Sequence, residues 1–233
     1  MPRHVSVSPA SNRFPRLKVV LVAGAVAIGA GVGIGVAIAQ GSGGGPSKLT
    51  ARADPGVTFA PGTRRAPEFA LRDQTGKQFS LRSLRGRTVI LSFIDPVCRN
   101  LCPLEAKVLN DTVATLPASS RPVVVAVSVN PWNQTAADLA IDARKWRLVP
   151  EWRWALGTYR QLSRVWQSYA IGVQVQTKTL AGVTVHQVAH TEAAYVVDPA
   201  GYERSLFIYP YRSEDVVSAV RLASAGRSSS SQR

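Results

Sequence analysis

The sequence is short of the residues that most site chemistry needs. Only two of its 233 residues are cysteine, Cys98 and Cys102, so any thiol chemistry falls on that pair. Histidine occurs three times, as His4, His186 and His190. No phosphate-cradling glycine loop, metal-hydrolase helix or Ser-His-Asp pattern is present, which removes those enzyme classes. Acidic residues are scarce too, 14 against 28 Lys and Arg, for a net charge of +14. That excess invites nucleic acid as a partner, yet the basic residues are scattered arginines interrupted by acids, and no run reaches five. With neither a basic stripe nor a recognition motif, no nucleic acid partner is expected. A basic surface facing an anionic membrane or an acidic partner fits better.

Charge is also absent from residues 19–39, an unbroken stretch of Val, Ala, Ile, Leu and Gly. Its length approaches the roughly 20 residues a helix needs to cross a bilayer. Arg3, Arg13, Arg16 and Lys18 precede it, so residues 1–18 are expected to stay in the cytoplasm while the rest is exported. The chain then reads as a single-pass protein of the cell membrane with an extracytoplasmic body. Ala37-Ile38-Ala39 before Gln40 also suits a cleavage site, so a secretory signal peptide is the competing reading. The run is longer than the about 7 to 15 residues of such a signal, which favours the anchor. Residues 40–62, rich in Gly, Pro and Ser, read as a flexible linker, and residues 226–233 as a disordered tail. One domain of ordinary size remains, residues 63–225.

Within that domain, residues 88–110 are the stretch on which the rest converges. Val89, Ile90, Leu91, Phe93 and Ile94 form a continuous apolar run that predicts a strand buried on both faces. Asp95-Pro96 breaks it, and the two cysteines follow at once. Pro103 suits the start of a helix, on which Leu104, Lys107, Val108 and Val113 form a stripe. The cysteines therefore lie at a strand-to-helix junction, where free backbone N–H groups favour the thiolate that both metals and disulfide exchange require. Their spacing brings both sulfurs to one side of the helix start.

The remaining pattern predicts a short hairpin around Asp73-Gln74-Thr75-Gly76 and a second buried strand over residues 123–129. A helix capped by Thr135 comes next, then a short strand over residues 152–156 and a helix opening at Gly157-Thr158. Leu162, Val165, Trp166 and Tyr169 share one face of that helix. Residues 173–185 alternate in a polar way, as in an exposed hairpin or loop. A strand over residues 193–197 turns at Asp198-Pro199-Ala200-Gly201 into a hairpin partner, and Ser213 caps a last helix. Trp146, Trp152, Trp154 and Trp166 read as core. This order is that of an α/β thioredoxin-like domain with an added amino-terminal hairpin.

The chain resembles the Sco/SenC family of copper-binding cytochrome c oxidase assembly proteins over roughly residues 67–222. The resemblance rests on Cys98-Arg99-Asn100-Leu101-Cys102-Pro103, on Ser128-Val129-Asn130-Pro131 with Thr135, and on Gly157-Thr158. It rests also on His190 ahead of Tyr195-Val196-Val197-Asp198-Pro199-Ala200-Gly201. It implies copper, Cu(I) or Cu(II), on Cys98, Cys102 and His190, with His186 a spare candidate and His4 on the wrong side of the membrane. It implies delivery to a membrane cuproenzyme, cytochrome c oxidase subunit II, and a thiol reductant to keep the cysteines open outside the cell. Thiolates suit Cu(I) and imidazole suits either state, so the donor set is chemically apt. Three family features are absent. No acidic residue lies between the cysteines, Ala189 rather than an acid precedes His190, and Asn130 stands for the usual aspartate. With Arg99 added, the site is expected to be more positive, which favours thiolate and opposes a cation.

Two other classes use the same cysteines. In a thiol-disulfide oxidoreductase, Cys98 is the attacking thiolate and Cys102 the resolving partner. In a structural staple the pair is permanently oxidised, although closing so short a loop stabilises little.

Overall fold

The computed structural model describes residues 56–225. The basic amino end with His4, the expected membrane span at residues 19–39, most of the linker and the tail lie outside the described residues. Among the described residues, no helix is long and apolar enough to cross a membrane.

In chain order the strands and helices are β1 (Val57–Thr58), β2 (Ala70–Arg72), β3 (Gln78–Ser80), β4 (Val89–Ile94) and α1 (Leu101–Thr115). β5 (Val123–Ser128), α2 (Ala136–Lys145), β6 (Trp152–Ala155) and α3 (Tyr159–Ser168) follow. The chain closes with β7 (Val173–Leu180), β8 (Val183–His190), β9 (Ala193–Val197), β10 (Glu203–Ile208) and α4 (Ser213–Ala225).

The apolar runs at β4 and β5 become the centre of a six-stranded sheet ordered β1-β10-β9-β4-β5-β6. β4 pairs parallel with β5, from Val89 opposite Val123 to Ile94 opposite Ser128. On its other side it pairs antiparallel with β9, Val89 opposite Val197 and Ser92 opposite Ala194. Alternate residues feed two cores, because successive side chains leave opposite faces of a strand. Val89, Leu91 and Phe93 join Leu162, Val165, Trp166 and Tyr169 of α3 and its cap, with Leu71 and Phe79 of the β2–β3 hairpin. Ile90 and Ile94 instead meet Ala106, Leu109 and Val113 of α1 and Val216, Val217 and Val220 of α4. Both faces are thus covered, as continuous apolar strands require.

Local chemistry explains the joints. Asp73 Oδ1 accepts the Thr75 and Lys77 N–H groups, and Gly76 takes the left-handed conformation that closes the β2–β3 turn. Thr135 and Thr158 each accept the N–H three residues on, in reciprocal capping boxes. Trp152, Trp154 and Trp166 are buried, as read from the sequence, while Trp146 is only partly buried at the edge of the core.

Three details differ from the sequence reading. The expected linker gives way to structure sooner, since Val57 and Thr58 pair with Leu206 and Ser205 on the sheet edge. Residues 173–190 form one long two-stranded ribbon, β7 with β8, separate from the main sheet. Most of its side chains on both faces are exposed. Finally, the buried face of α1 carries Cys102, Glu105, Ala106, Leu109, Thr112 and Val113, while Leu104 is 50% exposed. The periodicity was compatible with a neighbouring phase; turning Cys102 inward against the sheet selects this one. Leu109→Ala should therefore cost about 2–5 kcal/mol in denaturant unfolding. Leu104→Ala should change stability by no more than about 0.5 kcal/mol.

Candidate metal and redox site

The site forms where the chain leaves the carboxyl end of β4. Buried Asp95 holds this exit in place: its Oδ1 accepts the Val97 N–H and the Asn130 side-chain amide, both at 3.0 Å. Asn130 follows the end of β5, so the two strand exits are tied together. An aspartate at 130 would set two carboxylates against each other, whereas the amide supplies a donor. The loop then turns, Cys98 N–H donating to the Asp95 carbonyl at 3.1 Å, and Asn100 caps α1 by accepting the Leu101 N–H.

This places Cys98 half-buried in the loop and Cys102 fully buried in the first turn of α1, both as free thiols. Their acidities diverge. A hydrogen bond from the Cys102 thiol, with backbone N–H groups of Asn100 and Cys102, outweighs burial and brings Cys98 down to about 6. Cys102 is raised far above the ordinary thiol range, first by its hydrogen bond to Cys98 and then by burial. Arg99, expected to make the site more positive, pairs with an acid of α2. Its guanidinium reaches buried Asp142 of α2 at 3.3 Å and the Cys98 carbonyl at 3.0 Å.

His190 arrives from the opposite direction, at the end of β8. Its Nε2 lies 3.5 Å from Cys102 Sγ, and its Nδ1 lies 3.2 Å from the Thr191 carbonyl. A carbonyl only accepts, so Nδ1 carries a hydrogen there and Nε2 is the atom that faces the sulfur. The structure therefore brings His190 to Cys102, the inner of the two cysteines singled out in the sequence. His186 is elsewhere: it stacks on Trp132 at 4.0 Å between ring centroids, its Nδ1 3.1 Å from Thr177 Oγ1.

Glu192, which the sequence reading passed over, completes the cluster. One carboxylate oxygen is 3.5 Å from Cys102 Sγ and 3.4 Å from His190 Nε2. Ligand atoms of Cys98, Cys102 and Glu192 all lie within 4.8 Å of one another. The acid missing ahead of His190 is thus supplied two residues after it. Its signal in the sequence was a charge placed directly before the apolar Ala193-Ala194-Tyr195-Val196-Val197. Beneath it, fully buried Glu105 accepts from Ser92 Oγ at 2.9 Å and from the Tyr211 hydroxyl at 2.7 Å. Burial, then the Glu192 carboxylate beside it, pushes Glu105 well above the usual carboxylate range. Two thiols, an imidazole and a carboxylate fit a thiophilic transition metal. The Glu192 carboxylate, turned to Cys102 and His190 through one oxygen, adds a donor to that set.

A thioredoxin-like α/β domain presenting a Cys-x-x-x-Cys pair against a histidine from a neighbouring strand is the class that this fold and site define. The SCO1/SenC family profile matches residues 59–224, and the chain belongs to that family. No curated protein matches the sequence. Among solved structures, copper-bound ScoI of Bradyrhizobium japonicum is similar at 19% identity, with 69% of this chain and 99% of that one covered and a TM-score of 0.57. Copper-bound yeast Sco1 is 20% identical over 68% of this chain and 87% of its own, with a TM-score of 0.61. BsSco is described by a disulfide switch and as a member of the Sco family of cytochrome c oxidase assembly proteins. It is 24% identical over 71% and 96%, with a TM-score of 0.55. At these identities the likeness establishes the shared fold.

The unequal thiols set an expected outcome. In the reduced, metal-free chain, iodoacetamide labelling of Cys98 should titrate with a midpoint at about 6, being present above that pH and lost below it. Cys102 should stay unlabelled near neutral pH, as read by mass spectrometry of the two peptides.

Proposed function

We propose that this chain is a copper carrier that works outside the membrane: Cys98 and Cys102 bind as thiolates, His190 binds through Nε2, and the cargo passes to a cuproenzyme by ligand exchange. The observation that carries this reading is the approach of His190 Nε2 to 3.5 Å from Cys102 Sγ across 88 positions of sequence. Family membership and copper in the similar ScoI and Sco1 structures support copper as the cargo. The description of BsSco supports cytochrome c oxidase as the client, and subunit II is the part we assign as recipient. The anchor at residues 19–39 and the extracytoplasmic placement rest on the sequence pattern alone. Transfer suits the asymmetry of the pair. Half-buried Cys98 is the donor an incoming ligand reaches first, while Cys102 and His190 retain the ion from the enclosed side.

The test is copper uptake by the reduced full-length chain against a competing chelator. About one copper per chain is expected. Cys98→Ala, Cys102→Ala and His190→Ala should each lower affinity by more than the about 10–100-fold that losing a ligand's supporting partner costs. No uptake, or uptake indifferent to all three changes, sinks the reading.

The divergent thiols favour a second reading, disulfide exchange. Cys98 thiolate attacks a partner disulfide, forming a mixed disulfide and releasing one partner thiolate. Cys102 then passes its proton to the partner thiolate already released and attacks Cys98 sulfur, releasing the second thiolate and leaving Cys98 and Cys102 joined. Two electrons pass from the pair to the partner. Cys102→Ser should trap the mixed disulfide, seen as a reducible higher-mass species on a gel; its absence with an extracytoplasmic dithiol client opposes this reading.

A further inference from the structure

Glu192 lies in the short connection between β8 and β9, and that connection is fixed at several points. Thr191 N–H donates to the Gly172 carbonyl at 2.9 Å, and the Glu192 carbonyl accepts the Tyr209 N–H at 2.9 Å. The carboxylate is therefore held where it is by backbone pairing, with its side chain only 10% exposed. Such burial is costly for a carboxylate that lacks partners. The Glu105 carboxyl beside it offsets part of that cost, while Oε1 is turned to a sulfur and a ring nitrogen.

The spacing of those three atoms explains the placement. Bonds of about 2.3 Å to sulfur and about 2.0–2.1 Å to nitrogen or oxygen, at tetrahedral angles, separate sulfur from its neighbours by about 3.5 Å and nitrogen from oxygen by about 3.3 Å. The same bonds at right angles would give about 3.1 Å and about 2.9 Å. Observed separations are 3.5 Å for Cys102 Sγ to His190 Nε2, 3.5 Å for Cys102 Sγ to Glu192 Oε1, and 3.4 Å for His190 Nε2 to Glu192 Oε1. These are three edges of one tetrahedral face. Cys98 Sγ lies within 4.8 Å of both the other sulfur and the carboxylate, but His190 falls outside that mutually close group, so Cys98 has to move toward the imidazole to close the fourth corner.

The geometry points to Glu192 as a fourth metal ligand that biases the site toward a divalent ion over a monovalent one. A monovalent soft ion is satisfied by two or three sulfur and nitrogen donors and gains little from a hard carboxylate oxygen. Two thiolates and a carboxylate around such an ion also leave two uncompensated negative charges in a largely enclosed site, against one around a divalent ion. Both the donor chemistry and the charge balance act in the same direction. The inference rests on the copper-carrier reading for its cargo only; the ligand set itself is independent of which divalent ion is used.

Two measurements on the full-length chain decide it. Cu(I) and Cu(II) affinities are measured for the wild type and for the near-isosteric Glu192→Gln. The variant should keep its Cu(I) affinity to within about threefold and lose at least about tenfold in Cu(II) affinity, a rise of about 59 mV in the copper potential per tenfold. Co(II) loading supplies a readout free of copper. The wild type should show the intense visible bands of a four-coordinate tetrahedral ion, and Glu192→Gln should weaken or shift them while Glu192→Asp partly restores them. Equal losses for both copper states, or Co(II) bands indifferent to position 192, overturn the proposal. If the wild type takes up Co(II) with bands that depend on Glu192 but takes up no copper, the carrier reading falls and the ligand assignment stands. Uptake of neither ion overturns both.

Discussion

The antiparallel pairing of β4 with β9 is the constraint from which the site follows. The chain leaves β4 at Ile94 and enters β9 at Ala193, and because the strands run in opposite directions with Ser92 opposite Ala194, those two points are neighbours. Whatever follows β4 must therefore meet whatever precedes β9. Cys98 and Cys102 belong to the first segment, His190 and Glu192 to the second. No flexible loop has to find the sulfurs. The backbone ladder of two strands buried in the sheet interior delivers the imidazole and the carboxylate, and core packing on both faces keeps that ladder from slipping.

The departures from the family pattern become intelligible once the polar contacts around this junction are followed. Asn130 is a hydrogen-bond donor to Asp95, so its place in the Ser-Val-Asn-Pro segment is satisfied by structure. Arg99 pairs with Asp142, so the cation beside Cys98 in sequence already has a counter-charge. Negative charge enters instead from Glu192, with Glu105 packed below it and hydrogen-bonded to Ser92 and Tyr211. Charge counted along the chain around residues 98 to 102 therefore misjudges the field at the site, because a carboxylate 90 positions away contributes and the adjacent Arg99 is paired with Asp142.

Most of the fold was legible where the chain satisfies local rules. Thr135 and Thr158 announced their helices by capping chemistry, β4 and β5 by unbroken apolar runs, and the β2–β3 turn by Asp73 and Gly76. The approach of His190 to Cys102 was legible through the family motif and the order of elements. What escaped needed three-dimensional knowledge. The inward phase of α1 depends on which face the sheet demands, since Leu104 and Leu109 are equally apolar in sequence. Glu192 carries no motif of its own and differs from a surface glutamate only in what surrounds it. The stacking of His186 on Trp132 joins β8 to the loop after β5, a pairing that no local period announces.

The ribbon of β7 and β8 gives the site a mechanical asymmetry. Cys98 and Cys102 are rooted in the main sheet and α1, but His190 is the last residue of a two-stranded arm. That arm extends to the left-handed Ala181-Gly182 turn, flanked by exposed Leu180 and Val183. Val173 and Val188 pack its root against the core and His186 rests on Trp132, so the imidazole answers to contacts that neither cysteine shares.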